Sequence, residues 1–427
     1  MFSFLINYLT NFEKIQDWKI IERKKDSIEL YFIKKELDMH RSVEVLYYDV
    51  TLYVENKKEG KTYLGESNTV VSPTMKESEV IKVLNDCYQA ACYVYNKPFT
   101  ILKKKISKDT EVNQEISPFA LDELIKGMFE HDLKTEGGLG ACEIFLYTRK
   151  FHIITSKGID VIYKKQDAMV ELVSYWINNK KEVELFDNLY FGYLKKEELS
   201  QKVKVLLEET EKRSKAEPMK DFEGIPVILE GDNVSEFFNY FVMKSNAQTI
   251  YEGISNYYID FKIQNNPKGD LLEITLKPYL ESSSRSTPYD NDGVLLKTTP
   301  IIEDGVVKNI HGEHRFTSYL DLPTTGMIPN FSVGLGTTDL NELKTKPHIV
   351  LKKFSDFQTN SMTGDFGGEI RFAQYFDGKS YNPLTCGTIS SNVNKVVNSM
   401  KFSNEKFQSD IYEGPKAIIF DNLKVSK

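Results

Sequence analysis

The sequence predicts an α+β fold. A mixed α and β amino-terminal domain, residues 1–220, is followed by a β-rich carboxy-terminal domain, residues 221–427, built as a curved sheet or partial barrel. Three observations carry that prediction. At 427 residues the chain exceeds what one ordinary hydrophobic core organises, so two units are expected. Helical and strand periodicities alternate up to about residue 213, whereas strand and turn signals dominate from about residue 247. Between them "EETEKRSKAEPMKDFEG" joins high charge density to Pro218 and Gly224, as boundary segments do.

After a short opening helix, "WKIIERKK", "SIELYFIKK", "VEVLYYDVTLYVE" and "KTYLGESNTVV" are rich in β-branched and aromatic residues and read as an antiparallel meander. Thr74 and Glu77 form a T-x-x-E capping box, and Val80, Ile81, Leu84, Cys87, Ala91 and Val94 follow at helical spacing. A second helix is expected from Ser117, with Pro118 in its first turn and Leu121, Leu124, Ile125 and Met128 as its buried stripe. Strands return at "FHIIT", "IDVIYKK", "AMVELVSYW" and "KEVELFDNLYF", with Gly158 turning the chain between the first two. A charged amphipathic helix over about 195–213 closes this half. The second half opens with the strand "IPVILEG" and a helix from Asp232, whose Val234, Phe237, Phe238, Phe241 and Val242 give an apolar face at i, i+3, i+4, i+7, i+8. Thereafter "NNPKGD", "DNDG" and "EDG" punctuate short apolar runs.

A formal net charge of −7 and a pI near 5.6 argue against nucleic acid or an anionic membrane as the main partner, because polyphosphate needs a basic face. The amino-terminal apolar run lacks the basic start and small-residue cleavage site of a secretory signal, and no stretch has the apolar length that spans a bilayer, which points to the cytoplasm. Cys87, Cys92, Cys142 and Cys386 form no CxxC pair and read as reduced thiols.

"HGEHRF" sets two of the six histidines around a glycine and a glutamate, a pattern that raises the question of a metal. Its context places an Asp-Gly hairpin turn at 304–305 and a strand through the histidines, so His311 and His314 face opposite sides unless Gly312 makes a bulge. A pair without a third ligand is half a site. "SSSRSTPYDNDG" holds serines without a histidine base and lacks the oxygen ladder of an EF-hand, and reads as a polar loop. "PTTGMIPNFSVGLG" and "TNSMTGDFGGEIRFAQYFDG" are dense in glycine, which permits either close approach of a ligand or tight turns.

Taken in order, "PVILEGDNVSEFF", "STPYDNDGV", "TTPIIEDGVVKNI", "RFTSYL", "PTTGMIPNFSV", "TGDFGGEIRF" and "NVNKVVNSM" resemble the TldD/PmbA family, once described as modulators of DNA gyrase and now regarded as metallopeptidase components. "GACEIFLYTRKFHIITSKGIDVIYKK" resembles that family's repeated strand segment, so the likeness runs from about residue 140. The resemblance implies a two-domain fold assembled as dimers around an internal chamber. It also implies, for metal-bearing members, a His-Glu-x-x-x-His motif on the helix after the "PVILEG"-like strand and a cysteine near the carboxy terminus, which together suit zinc.

Here that helix reads "DNVSEFFNYFVMKSNAQ" and contains no histidine. Asn233, Ser235 and Glu236 are the polar residues of its first turn after the cap, Asn239 stands where a ligand would be expected, and amides are poor zinc ligands. The sequence therefore resembles the PmbA, or TldE, branch, whose members lack the metal ligands. That resemblance implies no catalytic residue and no cofactor in this chain, with zinc only in a metal-bearing partner. It implies a homodimer or a heterodimer with a His-Glu-x-x-x-His-bearing TldD-like subunit, and an extended or unfolded peptide as substrate, bound by strand addition. Gly364, Asp365 and Phe366 match a family motif and are the expected groove contacts. Two alternatives stand beside this: an autonomous metal-dependent hydrolase using His311 and His314 with Glu313 or Asp304, and a non-enzymatic regulatory or structural dimer.

Overall fold

The computed structural model describes residues 1–103, 112–113, 120–131, 135–421 and 423–427. Helix α1 (Phe2–Thr10) precedes three strands, β1 (Asp17–Ile33), β2 (Glu36–Lys58) and β3 (Lys61–Val71), paired antiparallel in sequence order as the predicted meander. The segments "WKIIERKK" and "SIELYFIKK" are not two strands but one. Polar residues in mid-strand are satisfied across the ladder: Lys24 reaches Glu44 at 2.8 Å, and Arg41 donates to Glu29 at 2.7 Å. Helix α2 (Glu77–Cys92) starts later than the predicted box. Its N-cap is Lys76, whose N–H donates to Glu79 Oε2 at 2.8 Å, while Thr74 bonds Ser72 outside the helix.

Next come β4 (Val112–Asn113) and α3 (Leu121–Met128), with Leu124 and Met128 buried; the predicted helix start at Ser117 and Pro118 lies outside the described residues. Strands β5 (Gly137–Thr155), β6 (Asp160–Asn178) and β7 (Lys181–Phe191) are antiparallel neighbours, and α4 (Lys196–Arg213) follows. Here too "IDVIYKK" and "AMVELVSYW" fuse, into β6. At their junction Asp167 receives Arg149 of β5 at 2.6 and 3.0 Å, so the polar interruption costs the strand nothing. Gly158, at φ +85°, makes the expected turn between β5 and β6.

Pairing of β1 with β5 unites these strands into a seven-stranded sheet ordered β3-β2-β1-β5-β6, with β4 and β7 both on β6. Helices α1 and α2 cover Ile20, Val50 and Leu52; α3 and α4 cover Leu30, Ile144 and Val170. Ile20 and Leu30 are an even number of residues apart on β1 and share a face. The opposite face, through Ile21, Ile153 and Tyr163, packs on Tyr289 from the second half.

The second half runs β8 (Glu217–Pro218), β9 (Val227–Glu230), α5 (Asp232–Lys244), α6 (Ala247–Tyr251), β10 (Ile274–Lys277), β11 (Thr299–Glu303), β12 (Val306–Val307), α7 (His314–Tyr319), β13 (Asn330–Val333), β14 (His348–Thr359), β15 (Asp365–Phe376), β16 (Tyr381–Thr385) and β17 (Gly387–Asn392), then short strands between 401 and 426. They form a six-stranded sheet around β10–β13 and a nine-stranded sheet around β14–β17. The class is α+β, as predicted, and its β-structure includes a curled half-barrel sheet.

Helix α5 fills the space between these two sheets. Its predicted stripe is buried, with Val234, Phe237, Phe238 and Phe241 at 0% exposure. Phe237 meets Phe366 and Phe420 at ring separations of 5.2 and 5.6 Å; Phe238 meets Phe402 and Tyr412 at 5.2 and 6.1 Å. Among the described residues no helix is long and apolar enough to cross a membrane.

Candidate functional site

The site is built on α5. Strand β9 lies between β14 and residues 417–420, fully backed by both, and Gly231 at φ +75° turns the chain from β9 into the helix. The Asn233 amide donates to Glu230 O at 3.0 Å and Lys352 O at 3.1 Å, fixing the first turn to β14. With one stripe in the core, the remaining faces of α5 look into two cavities.

The first, about 560 Å³, is lined by Asp232, Ser235 and Glu236 with Tyr190 and Lys202 from the amino-terminal half and Ser409 and Asp410 from the carboxy-terminal strands. Asp232 lines this cleft. Enclosure by protein, then the neighbouring Asp187, raises its carboxyl above the usual range against the opposing pull of Lys353, Lys202 and the Ser409 hydroxyl. Burial likewise raises Glu236, opposed by a backbone hydrogen bond from Thr359. The second cavity, about 430 Å³, is lined by Tyr240 and Lys244 of α5 with Asn256, Tyr257, Thr363 and Asn394.

Zinc takes imidazole, thiolate and carboxylate in tetrahedral array. The polar residues of α5 supply two amides, one of them committed to carbonyl oxygens, two hydroxyls, two carboxylates and a lysine. Among the described residues no three His, Cys, Asp or Glu side chains converge as metal ligands. The donor set of this helix does not fit zinc. Cys386 is exposed between β16 and β17 at φ +60°, with its Sγ 3.8 Å from Thr385 Oγ1.

His311 and His314 go to different partners. Asp304 and Gly305 make the expected hairpin turn, but the strand predicted through the histidines is absent: β12 ends at Val307, and Glu313 caps α7, which begins at His314. His311 is buried, and its Nε2–H donates to Val242 O at 3.0 Å, leaving Nδ1 as a bare lone pair. Burial lowers its pKa to about 4, so the ring is neutral near pH 7. His314 donates from Nε2 to Thr100 O at 2.8 Å, and its Nδ1 accepts from the Thr324 hydroxyl at 2.7 Å. Both nitrogens of His314 are occupied.

Gly364, Asp365 and Phe366 open β15, and they separate. Phe366 is 2% exposed and belongs to the core against Phe237, so it is no groove contact. Gly364, at φ +77°, brings the loop within 3.2 Å, measured from an added Cβ, of the Tyr240 hydroxyl. Asp365 is exposed, and hydrogen bonds from Asn392, then Thr363, hold its carboxyl below the usual range. The preceding residues, Met362 and Thr363, line the Lys244 cavity. The polar loop 282–293 is structural: Asp410 receives Ser284 N and Oγ at 2.7 and 2.9 Å, and Asp290 receives the N–H groups of Asp292, Val294 and Met327.

Residues 223–427 match the family model described as the PmbA/TldA metallopeptidase C-terminal domain. This carboxy-terminal domain belongs to the TldD/PmbA family. A metalloprotease PmbA homolog of Haemophilus influenzae is 23% identical over 217 residues, 47% of this chain, and the chain spans about half, 46%, of that relative's length. Among solved structures, TldE from Thermococcus kodakarensis superposes with a TM-score of 0.79 at 15% identity, over 99% of this chain and 100% of that one. A candidate modulator of a DNA gyrase from Thermotoga maritima gives 0.78 at 14% identity, over 99% of each chain. These likenesses establish that the TldD/PmbA fold extends through the amino-terminal half, beyond the matched domain. Lys244 is the residue of this TldD/PmbA domain that sequence reasoning missed, because a lone lysine in a last helical turn has the pattern of a solvated C-terminal charge.

Proposed function

We propose that this chain is a PmbA/TldE-like subunit of a TldD/PmbA-type metallopeptidase system, acting in the cytoplasm on unfolded or extended peptides without a zinc centre of its own. It works as a dimer, with itself or with a His-Glu-x-x-x-His-bearing TldD-like subunit that supplies the metal. The observation that carries this reading is the donor set of α5, which buries phenylalanines and leaves amides, hydroxyls, carboxylates and one lysine, with no imidazole or thiolate, on its other faces. Family membership supports the peptidase setting. An accessible strand edge supports peptide binding by strand addition: β2 from Glu36 to Tyr47 pairs with β1, whereas β3 joins it only from Tyr48 onward. The autonomous-hydrolase alternative draws no support from His311 and His314, whose rings serve different partners.

The test is reconstitution. Purified chain is expected to leave an unfolded protein substrate intact and to raise its cleavage when mixed with a His-Glu-x-x-x-His homologue from the same host. Cleavage by the chain alone, abolished in the double variant His311→Ala, His314→Ala, is the opposite result and favours the hydrolase.

A further inference from the structure

We infer that the cavity at the carboxy-terminal end of α5 is a carboxylate-binding site whose charge is the Lys244 ammonium. The inference deepens the peptide-handling reading above by naming what part of a peptide the chain would hold.

Lys244 is 5% exposed. Burying an ammonium is costly unless an opposite charge or a full set of acceptors receives it. Nζ has three donor positions; it gives one to Ile254 O at 3.1 Å and stands 5.6 Å from the ring centre of Tyr257. Among the described residues no carboxylate lies within ion-pair distance of it, and none of the residues lining the cavity is an Asp or a Glu. The polar wall consists of the Tyr240 hydroxyl, Thr363 and the amides of Asn256, Asn265 and Asn394, with a second cation, Lys262, at the exposed rim. A buried positive charge that opens on a cavity of hydroxyls and amides, with no anion among the lining residues, is the complement of an anionic group.

Lysine in a last helical turn also offsets the negative end of the helix dipole. That accounts for the sign of the charge at 244, and leaves its withdrawal from solvent into a 430 Å³ cavity unexplained. The negative helix end weakens binding of any anion and of a dianion most, and the wall carries no arginine fork suited to phosphate. A monovalent carboxylate fits both facts. Apolar neighbours Phe261, Met362 and Val393 can receive the side chain next to it.

The carboxylate can come from a peptide's carboxy terminus or from an acidic side chain, and binding to the isolated chain separates them. The probes for calorimetry are N-acetyl-Ala-Ala with a free carboxylate, its carboxy-terminal amide, N-acetyl-Asp amide and inorganic phosphate. At least one of the two acids is expected to bind about tenfold or more tighter than the neutral amide, as a hydrogen bond to a charged group requires. Whichever acid prevails names the source. Lys244→Met is expected to abolish that preference and Lys262→Gln, at the exposed rim, to weaken it; circular dichroism checks that each is folded, and if Lys244→Met is not, the acid-to-amide ratio in Lys262→Gln decides. Equal affinity for acid and amide, absence of acid binding, phosphate tighter than both acids, or an unchanged preference in the folded variants each overturns the assignment. No cleavage is measured, so this failure is distinct from failure of the peptidase reading.

Discussion

Phe238→Ala is expected to lower the unfolding free energy by about 3–5 kcal/mol, a large fraction of the ~5–15 kcal/mol a domain typically has. Phe238 has no exposure and stands where the two carboxy-terminal sheets meet, within ring contact of Phe237, Phe402 and Tyr412. Truncation removes its transfer free energy and leaves a void among packed rings that the surroundings close only in part. Asn239→Ala, one residue on, is expected to change stability by about 0.5 kcal/mol or less, because its side chain is outside the stripe. Urea unfolding of the three proteins measures the contrast. A loss below about 1 kcal/mol for Phe238→Ala is incompatible with α5 as the keystone of this half.

The second large effect is a pH dependence carried by His311. Its folded pKa of about 4 lies below the ordinary 6.5, so the unfolded chain binds the proton more readily. Stability from this group is complete above pH 6.5 and is lost as pH falls toward 4, by about 3 kcal/mol in total. Asp290 works in the other direction. Burial raises it to about 6, so its contribution is present at low pH and is lost as pH rises through that value. The difference between wild type and His311→Gln isolates the histidine. Wild type is expected to lose about 3 kcal/mol more than the variant between pH 7 and pH 4. Parallel curves contradict the buried, neutral His311.

Much of the fold was legible because periodicity reports burial. The α5 stripe, the charged helix at 195–213, the meander and the turns at Gly158 and Asp304-Gly305 all follow from local pattern. Strand continuity was not legible. Asp26-Ser27 and Gln166-Asp167 look like loop punctuation, yet cross-strand partners such as Arg149 absorb them, and a partner distant in sequence leaves no local signal. The same limit hid the sites. His311 and His314 are three residues apart in sequence but are claimed by Val242 and Thr100, and Phe366 shares a motif with two surface positions while its ring lies in the core. Lys244 gained its burial from residues 253–263 folding over it.

Zinc content after equilibrium dialysis against micromolar zinc and a wash with a weak chelator tests the central claim most directly. A chain whose α5 offers neither imidazole nor thiolate is expected to retain no stoichiometric zinc. One zinc per chain, surviving the wash and lost in Glu236→Ala or Asn239→Ala, contradicts it.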